Sequence, residues 1–168
     1  MDLPTLSDGV VTLRPRRLED ADAVTAACQD PEIPRWTMVP SPYTREDAVE
    51  WLSQSEPDVA QFLAVDADDR LLGSFAVMEI DRERGYGEIG YWVAAEARGR
   101  GVATRAVTLL RDWAASAGLR ELEILPEPAN TASCRVAERA GFVLTGERRA
   151  NPRDPAGEVK YAVYRWQA

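Results

Sequence analysis

The chain contains no histidine, only two cysteines, Cys28 and Cys134, and a single lysine, Lys160. Without histidine neither a Ser-His-Asp nor a Cys-His nucleophile can be assembled, and two isolated cysteines cannot furnish a zinc site of Cys/His pairs. Any general base must be a carboxylate, a tyrosine, a perturbed thiol or Lys160. No apolar run approaches the ~20 residues of a membrane span, and Met1-Asp2-Leu3 lacks the basic-then-apolar order of a signal peptide. Basic residues are also in deficit: 20 Lys and Arg against 28 Asp and Glu leave a net charge of −8. That sign disfavours a general nucleic-acid binder, whose affinity comes from neutralising phosphates. It suits either simple solubility or the approach of a cationic ligand. Two unpatterned cysteines fit a reducing interior, so the expected location is the cytoplasm, with neither membrane nor nucleic acid as a partner.

What is present is one domain's worth of chain, 168 residues, with apolar segments from Val10 to Trp166 and no repeat or long linker. Val10 to Leu13 alternates as a strand. Leu18, Ala21, Val24 and Cys28 recur at helical spacing, and Asp30-Pro31 stops that helix. A proline-studded loop holding Trp36 and Met38 follows. Thr44 with Asp47 three residues on forms an N-cap pair for a helix carrying Ala48, Trp51 and Leu52. Strands are expected at 62–65, 71–78 and 87–93, the first two joined by the polar turn Asp66 to Arg70. A helix runs from Val102 to a C-cap at Gly118, a short strand covers Leu122 to Leu125, and Asn130 caps a helix that Gly141 ends. Strands from Phe142-Val143 and over 161–166 close the chain. This order, β-α-α-β-β-β-α-β-α-β-β, implies an α/β class with a mixed sheet and helices packed on it.

The segment richest in chemistry is strand 87–93, the turn Arg98-Gly99-Arg100-Gly101, and the helix beginning at Val102. A glycine-rich turn feeding a helix N-terminus presents free backbone N–H groups and the positive end of the helix dipole, which together hold an anion such as a pyrophosphate. It is not a P-loop, because no Gly-Lys-Ser/Thr follows, and Thr104 stands where a dinucleotide fingerprint has its third glycine. Asn130-Thr131-Ala132-Ser133 opens the next helix, and Glu138-Arg139-Ala140-Gly141-Phe142 closes it.

With these segments in place the sequence resembles the GCN5-related N-acetyltransferases, specifically the RimJ/RimL-like branch. Arg98-x-x-Gly101-x-Ala103 is similar to that superfamily's Gln/Arg-x-x-Gly-x-Gly/Ala signature, and Gly90-Tyr91-Trp92-Val93 to the strand before it. Asn130-x-x-Ser133 with Glu138 to Phe142 resembles the branch's Asn-x-x-Ser…Glu-Lys-x-Gly-Phe pattern. Leu13-Arg14-Pro15, Glu19-Asp20-Ala21, Asp30-Pro31-Glu32-Ile33 and Tyr43 to Ala48 with Trp51-Leu52 look like its opening. The resemblance spans nearly the whole chain and implies a single N-acetyltransferase domain over 1–168. Its fourth and fifth strands, counting 87–93 as the fourth, splay apart to admit the pantetheine arm of acetyl-CoA.

The resemblance also implies roles. Backbone groups of Trp92 and Val93 would meet pantetheine, and the N–H groups of Arg98, Gly99, Arg100, Gly101, Val102 and Ala103 would hold the pyrophosphate. A primary amine, as a small molecule or a protein N-terminus, must lose a proton before attacking the thioester. Glu88 is the first candidate base, with Glu123 and Glu127 as alternatives; read plainly, Glu88 is a polar residue on a strand face. A backbone N–H near Val93 is the candidate oxyanion donor. Many superfamily members carry a tyrosine seven residues after the asparagine, where this chain has Ala137, so Ser133 becomes the candidate acid or thiolate stabiliser. Asn130 would orient cofactor or water. Helix capping is the ordinary role of both Ser133 and Asn130. Cys134 reads as a small buried apolar residue.

Trp36 and Tyr43 are the candidate acceptor-pocket aromatics, while the helical spacing of Trp51 assigns it to the core. Another acyl donor such as succinyl-CoA would call for cations near the thioester, for which Arg35, Arg45 and Arg148-Arg149 are the candidates. A non-catalytic acyl-CoA-binding module is the alternative that the missing tyrosine supports. A homodimer is compatible with all of these readings.

Overall fold

Phe62, Phe75, Val77 and Ile89 are fully buried, and the three long strands that carry them form the middle of the sheet. The computed structural model describes residues 1–168. Its strands are β1 (Leu6–Ser7), β2 (Thr12–Pro15), β3 (Ala60–Val65), β4 (Leu71–Asp81), β5 (Tyr86–Val93), β6 (Glu121–Ile124), β7 (Val143–Arg149) and β8 (Tyr161–Gln167). They make one mixed sheet in the order β1-β2-β3-β4-β5-β6-β8-β7. All neighbours are antiparallel except β5 and β6, which run parallel because α4 (Val102–Ser116) crosses over between them.

Helices cover both faces. On one, α4 buries Val102, Ala106, Val107, Leu110 and Ala114 against Phe62, Phe75 and Ile89. The spacing is that of an apolar stripe along one helix side. Trp113 meets the Phe62 ring edge-on at 5.3 Å. Helix α5 (Thr131–Arg139) joins this core through fully buried Ala137. On the other face, α1 (Ala21–Ala27) and α3 (Arg45–Ser53) enclose a smaller core of Val24, Cys28, Ile33, Tyr43, Leu52, Leu63 and Trp92. The α3 cap is as expected: Asp47 N donates to Thr44 Oγ1 at 3.2 Å and Thr44 N donates to Asp47 Oδ2 at 2.8 Å.

Several boundaries differ from the sequence reading. The proline-studded loop contains a short helix, α2 (Glu32–Trp36). Pro31 caps it and Pro34 lies in its first turn, where the missing N–H would have no helical partner anyway. The expected helix from Leu18 is a 3-10 turn over Leu18–Asp20 before α1 begins. Asp20 accepts from Arg17 N at 2.8 Å and pairs with Arg14 at 2.7 Å, pinning that turn. The first long strand covers Thr12–Pro15 rather than starting at Val10, and the two-residue β1 precedes it. The expected fourth and fifth strands are therefore β5 and β6. No helix is long and apolar enough to cross a membrane.

Candidate functional site

The parallel pairing of β5 with β6 runs only from Tyr86↔Glu121 to Glu88↔Glu123. Beyond Glu88, β5 continues for five residues to Val93 with no strand on that side. The exposed edge faces an open cleft of about 1650 Å³ between the two helical layers. This is the splay the sequence resemblance implies. A free strand edge of that length offers unpaired backbone groups to an extended ligand arm.

At one end of the cleft lies the glycine turn. Gly99 and Gly101 both have φ +73, a left-handed conformation open to glycine at little cost, and a Cβ on either would touch nothing within 4 Å. Gly101 is the N-cap of α4, and no side chain caps the helix there. The first N–H groups of α4 therefore open onto free space at the positive helix end, a cradle fitted to phosphate. The Arg98 guanidinium braces this turn from behind: it pairs with Asp30 at 2.6 Å and donates to the Val93 carbonyl at 3.0 Å. Trp92 does not take the expected place: its ring is buried in the smaller core and its backbone lies on the β4 side, opposite Ser74, because Ala94 N donates to Leu72 O and the ladder alternates, so the free edge is that of Ile89, Tyr91 and Val93.

Strand alternation sorts the catalytic candidates. Tyr86, Glu88, Gly90 and Trp92 share the face roofed by α1 to α3, and Ile89, Tyr91 and Val93 share the α4 and α5 face. Glu88 lines the cleft half-buried and makes no side-chain hydrogen bond or ion pair to protein. Burial pushes its carboxyl pKa up, the nearby Glu79 adds to this, Arg149 works against it and Glu123 adds a little more. Glu79 sits at a bulge where the β4–β5 register shifts, with φ +51.

The two alternative candidates, Glu123 and Glu127, are committed. Glu123, 1% exposed, accepts from Arg165 at 2.6 and 3.0 Å, pairs with Arg149 at 3.0 Å, and accepts from Tyr86 Oη at 2.9 Å. Burial alone would raise its pKa, but the Arg165 and Tyr86 hydrogen bonds and the arginine charges outweigh it and hold the carboxyl ionised at lower pH than usual. Glu127 accepts from Asn151 Nδ2 at 2.7 Å and pairs with Arg153 at 3.1 Å. The structure thus leaves Glu88 as the carboxylate free to exchange a proton on this strand pair.

Across the splay, Asn130 Oδ1 accepts from Ser133 N at 3.3 Å, so Asn130 is the cap of α5. The Ser133 hydroxyl is not a cap: its Oγ accepts from Tyr91 Oη at 3.0 Å. Ala137 is fully buried in the core and presents no polar group to the cleft. Cys134 is half-buried against the main core, somewhat more exposed than expected.

The end of the cleft expected to take the acceptor is roofed by α2 and α3. Trp36 is half-buried on the cleft wall and donates from Nε1 to Glu32 at 3.2 Å, with the Arg35 guanidinium 4.6 Å over its ring. Tyr43 is 8% exposed and belongs as much to the smaller core as to the wall. The cleft lining as a whole carries nine carboxylates, Glu32, Asp47 and Glu50 among them on α2 and α3, and six arginines, of which Arg98, Arg135 and Arg139 lie on the glycine turn and α5. The acidic excess that composition shows is thus present in the cleft lining as well, interspersed with arginines.

Two contributions were not read from the sequence. Arg153, from the β7–β8 connection, donates to the carbonyls of Pro34 and Arg35 and pairs with Glu127, tying α2 to the far wall of the cleft. The Arg149–Glu123–Arg165 network depends on β8 lying between β6 and β7, an arrangement with no local sequence signal.

Comparison with known proteins agrees with this geometry. The family described as "Acetyltransferase (GNAT) domain" matches residues 11–143. An uncharacterized N-acetyltransferase, p20, of Bacillus licheniformis is 30% identical over 152 residues, 86% of this chain and 85% of that protein. A ribosomal-protein-serine acetyltransferase of Escherichia coli (strain K12) is 32% identical over 88 residues, 52% of this chain and 49% of its own length. A crystal structure of the microcin C7 self immunity acetyltransferase in complex with acetyl-CoA and AMP has the same fold. Its TM-score is 0.85 at 20% identity, over 96% of this chain and 94% of that one. The chain belongs to the GNAT acetyltransferase family and is an acyltransferase.

Proposed function

We propose that the protein transfers an acetyl group directly from acetyl-CoA to a cationic primary amine, as one catalytic domain over residues 1–168. The observation that carries this reading is the splay: β5 and β6 part after Glu88 and Glu123, with an uncapped helix N-terminus at one end and an unpaired carboxyl at the other. The first suits a pyrophosphate and an extended pantetheine arm, the second an amine that must be deprotonated. The amide groups from Gly99 to Ala103 bind the phosphates, Arg98 holds their turn in place, and the β5 edge from Ile89 to Val93 hydrogen-bonds the arm.

In this mechanism Glu88 takes the proton of the ammonium, directly or through water. The amine lone pair forms the C–N bond while a backbone N–H near Val93 stabilises the oxyanion. The C–S bond then breaks with its electron pair on sulfur, which Ser133 stabilises by donating a hydrogen bond. The nitrogen loses two protons in all, one to Glu88 before attack and one as the cationic intermediate collapses; both pass to water, one proton from water returns to sulfur, and the net products are the amide, the CoA thiol and one proton. Asn130 holds the start of α5, and hence Ser133, in register. Trp36 and Tyr43 bound the acceptor's apolar part.

The acidic lining favours acceptors with a second positive charge or a free N-terminus over anionic ones. Thiol release from acetyl-CoA, followed with a polyamine, an aminoglycoside and peptides bearing free serine or alanine N-termini, tests the reading. Turnover with at least one amine, faster with acetyl-CoA than with succinyl-CoA, is expected. Tight CoA binding without turnover of any amine would instead make the chain an acyl-CoA-binding module, and faster turnover with succinyl-CoA would change the donor.

A further inference from the structure

We propose that Tyr91 is a positioning residue that aims the single proton of the Ser133 hydroxyl at the leaving sulfur. The inference rests on the reading of Ser133 given above and adds to it the residue that directs that hydroxyl.

A serine hydroxyl has one proton to donate and two lone pairs with which to accept. Ser133 Oγ accepts from Tyr91 Oη at 3.0 Å and donates to no protein acceptor. A phenol is the better donor of the two, which sets the direction of the bond. With one lone pair occupied by Tyr91, the serine proton is turned away from the tyrosine and is free for a ligand on the cleft side, where Ser133 is part of the lining. Donation by Tyr91 also polarises the serine O–H and strengthens it as a donor to an anion.

Both ends of this hydrogen bond are held. The Tyr91 ring stacks on Phe75, with centroids 5.2 Å apart and planes 10° from parallel, so its hydroxyl cannot swing. Ser133 is fixed through its backbone N–H by the Asn130 cap. Burial, the largest influence on Tyr91, pushes its pKa up to about 12, so the phenol keeps its proton wherever an amine acceptor is active. Tyr91 therefore orients and does not itself surrender a proton, and no tyrosinate has to be reprotonated in each turnover. The hydroxyl that the family's helix tyrosine would supply, absent at Ala137, is replaced here by Ser133 directed from the neighbouring strand.

The test is a double-mutant cycle of Tyr91→Phe and Ser133→Ala. Acetyl-CoA is the donor and the fastest amine of the panel above the acceptor, with CoA dissociation constants measured alongside. Tyr91→Phe removes one oxygen and keeps the stacked ring. The expected result is a kcat about tenfold lower, the size of one hydrogen bond near 1.4 kcal/mol, with KM for acetyl-CoA and CoA affinity within about twofold of wild type. In the Ser133→Ala background the same substitution should change kcat no further. A wild-type kcat for Tyr91→Phe, or an equal loss with and without the Ser133 hydroxyl, would overturn the proposal. A tyrosine that matters only for packing gives that second pattern. Ser133→Ala at wild-type turnover would instead remove the Ser133 reading itself, so the two failures are distinct. Should Tyr91→Phe not fold, site-specific ring-fluorinated tyrosine retains the hydroxyl as a stronger donor. It should raise kcat in the Ser133 chain only, and an unchanged kcat there would overturn the proposal.

Discussion

Glu88 and Glu123 stand opposite one another as the last registered pair between β5 and β6, and of the two only Glu123 has its charge neutralised. Two arginines and a tyrosine hold Glu123 ionised, while Glu88, one strand away on the same face, has no partner and a raised pKa. Two like residues at the mouth of the splay thus have divergent environments. That divergence fits the proposed division, in a site with no histidine, between an anchor and a proton acceptor.

The anchor is expected to govern stability. Glu123→Gln leaves Arg165 and Arg149 without their common carboxylate, although Arg165 keeps Glu147 at 2.7 Å. A loss on the order of 3 kcal/mol is expected, the lower end for breaking a buried pair. A group whose folded pKa is depressed contributes stability above its unfolded pKa and loses it as pH falls through the folded value. Thermal midpoints should therefore fall more steeply with acidification in wild type than in Glu123→Gln, in the range below about pH 4.3.

Glu79 bears on the proton acceptor from outside. Its negative charge, on the bulge next to Glu88, is the second cause of the raised Glu88 pKa after burial. Glu79→Gln removes that like charge, so Glu88 ionises at lower pH. The rising limb of kcat/KM should move to lower pH, with kcat on the plateau nearly unchanged. An unshifted limb would mean that Glu79 does not act on the base.

The phosphate cradle makes a separate prediction. A side chain on Gly101 meets no atom within 4 Å, so substitution acts through its left-handed φ and through charge rather than through a clash. Gly101→Ala should weaken CoA binding modestly while costing about 1 kcal/mol of stability. Gly101→Glu, which sets a carboxylate against a bound anion, should weaken it by more than about tenfold further. Calorimetric CoA titration distinguishes the two, and equal affinities would place the phosphates elsewhere.

Much of this arrangement was readable because it is local. The Thr44–Asp47 cap, the α4 stripe and the Gly99–Gly101 turn each lie within a few residues, and each formed as the spacing implied. The short helix α2 escaped because Pro31 and Pro34 read as loop residues, although both occupy positions where a helix tolerates proline. The partners of Glu123 escaped for another reason. Arg149 and Arg165 lie 26 and 42 positions away and reach it only because β8 is inserted between β6 and β7. The Tyr91–Ser133 bond likewise joins a strand and a helix 42 residues apart. The family resemblance made Ser133 a candidate; the fold shows that its hydroxyl is not a cap.

The pH dependence of kcat/KM for Glu88→Gln beside wild type, with one amine whose own pKa is known, tests the central claim most directly. The account predicts that wild type shows a rising limb belonging to the enzyme below that of the amine. In Glu88→Gln this limb should vanish and activity fall by about 10²-fold or more at neutral pH, as for loss of a general base, with CoA affinity retained. A Glu88→Gln profile superimposable on that of wild type would contradict it.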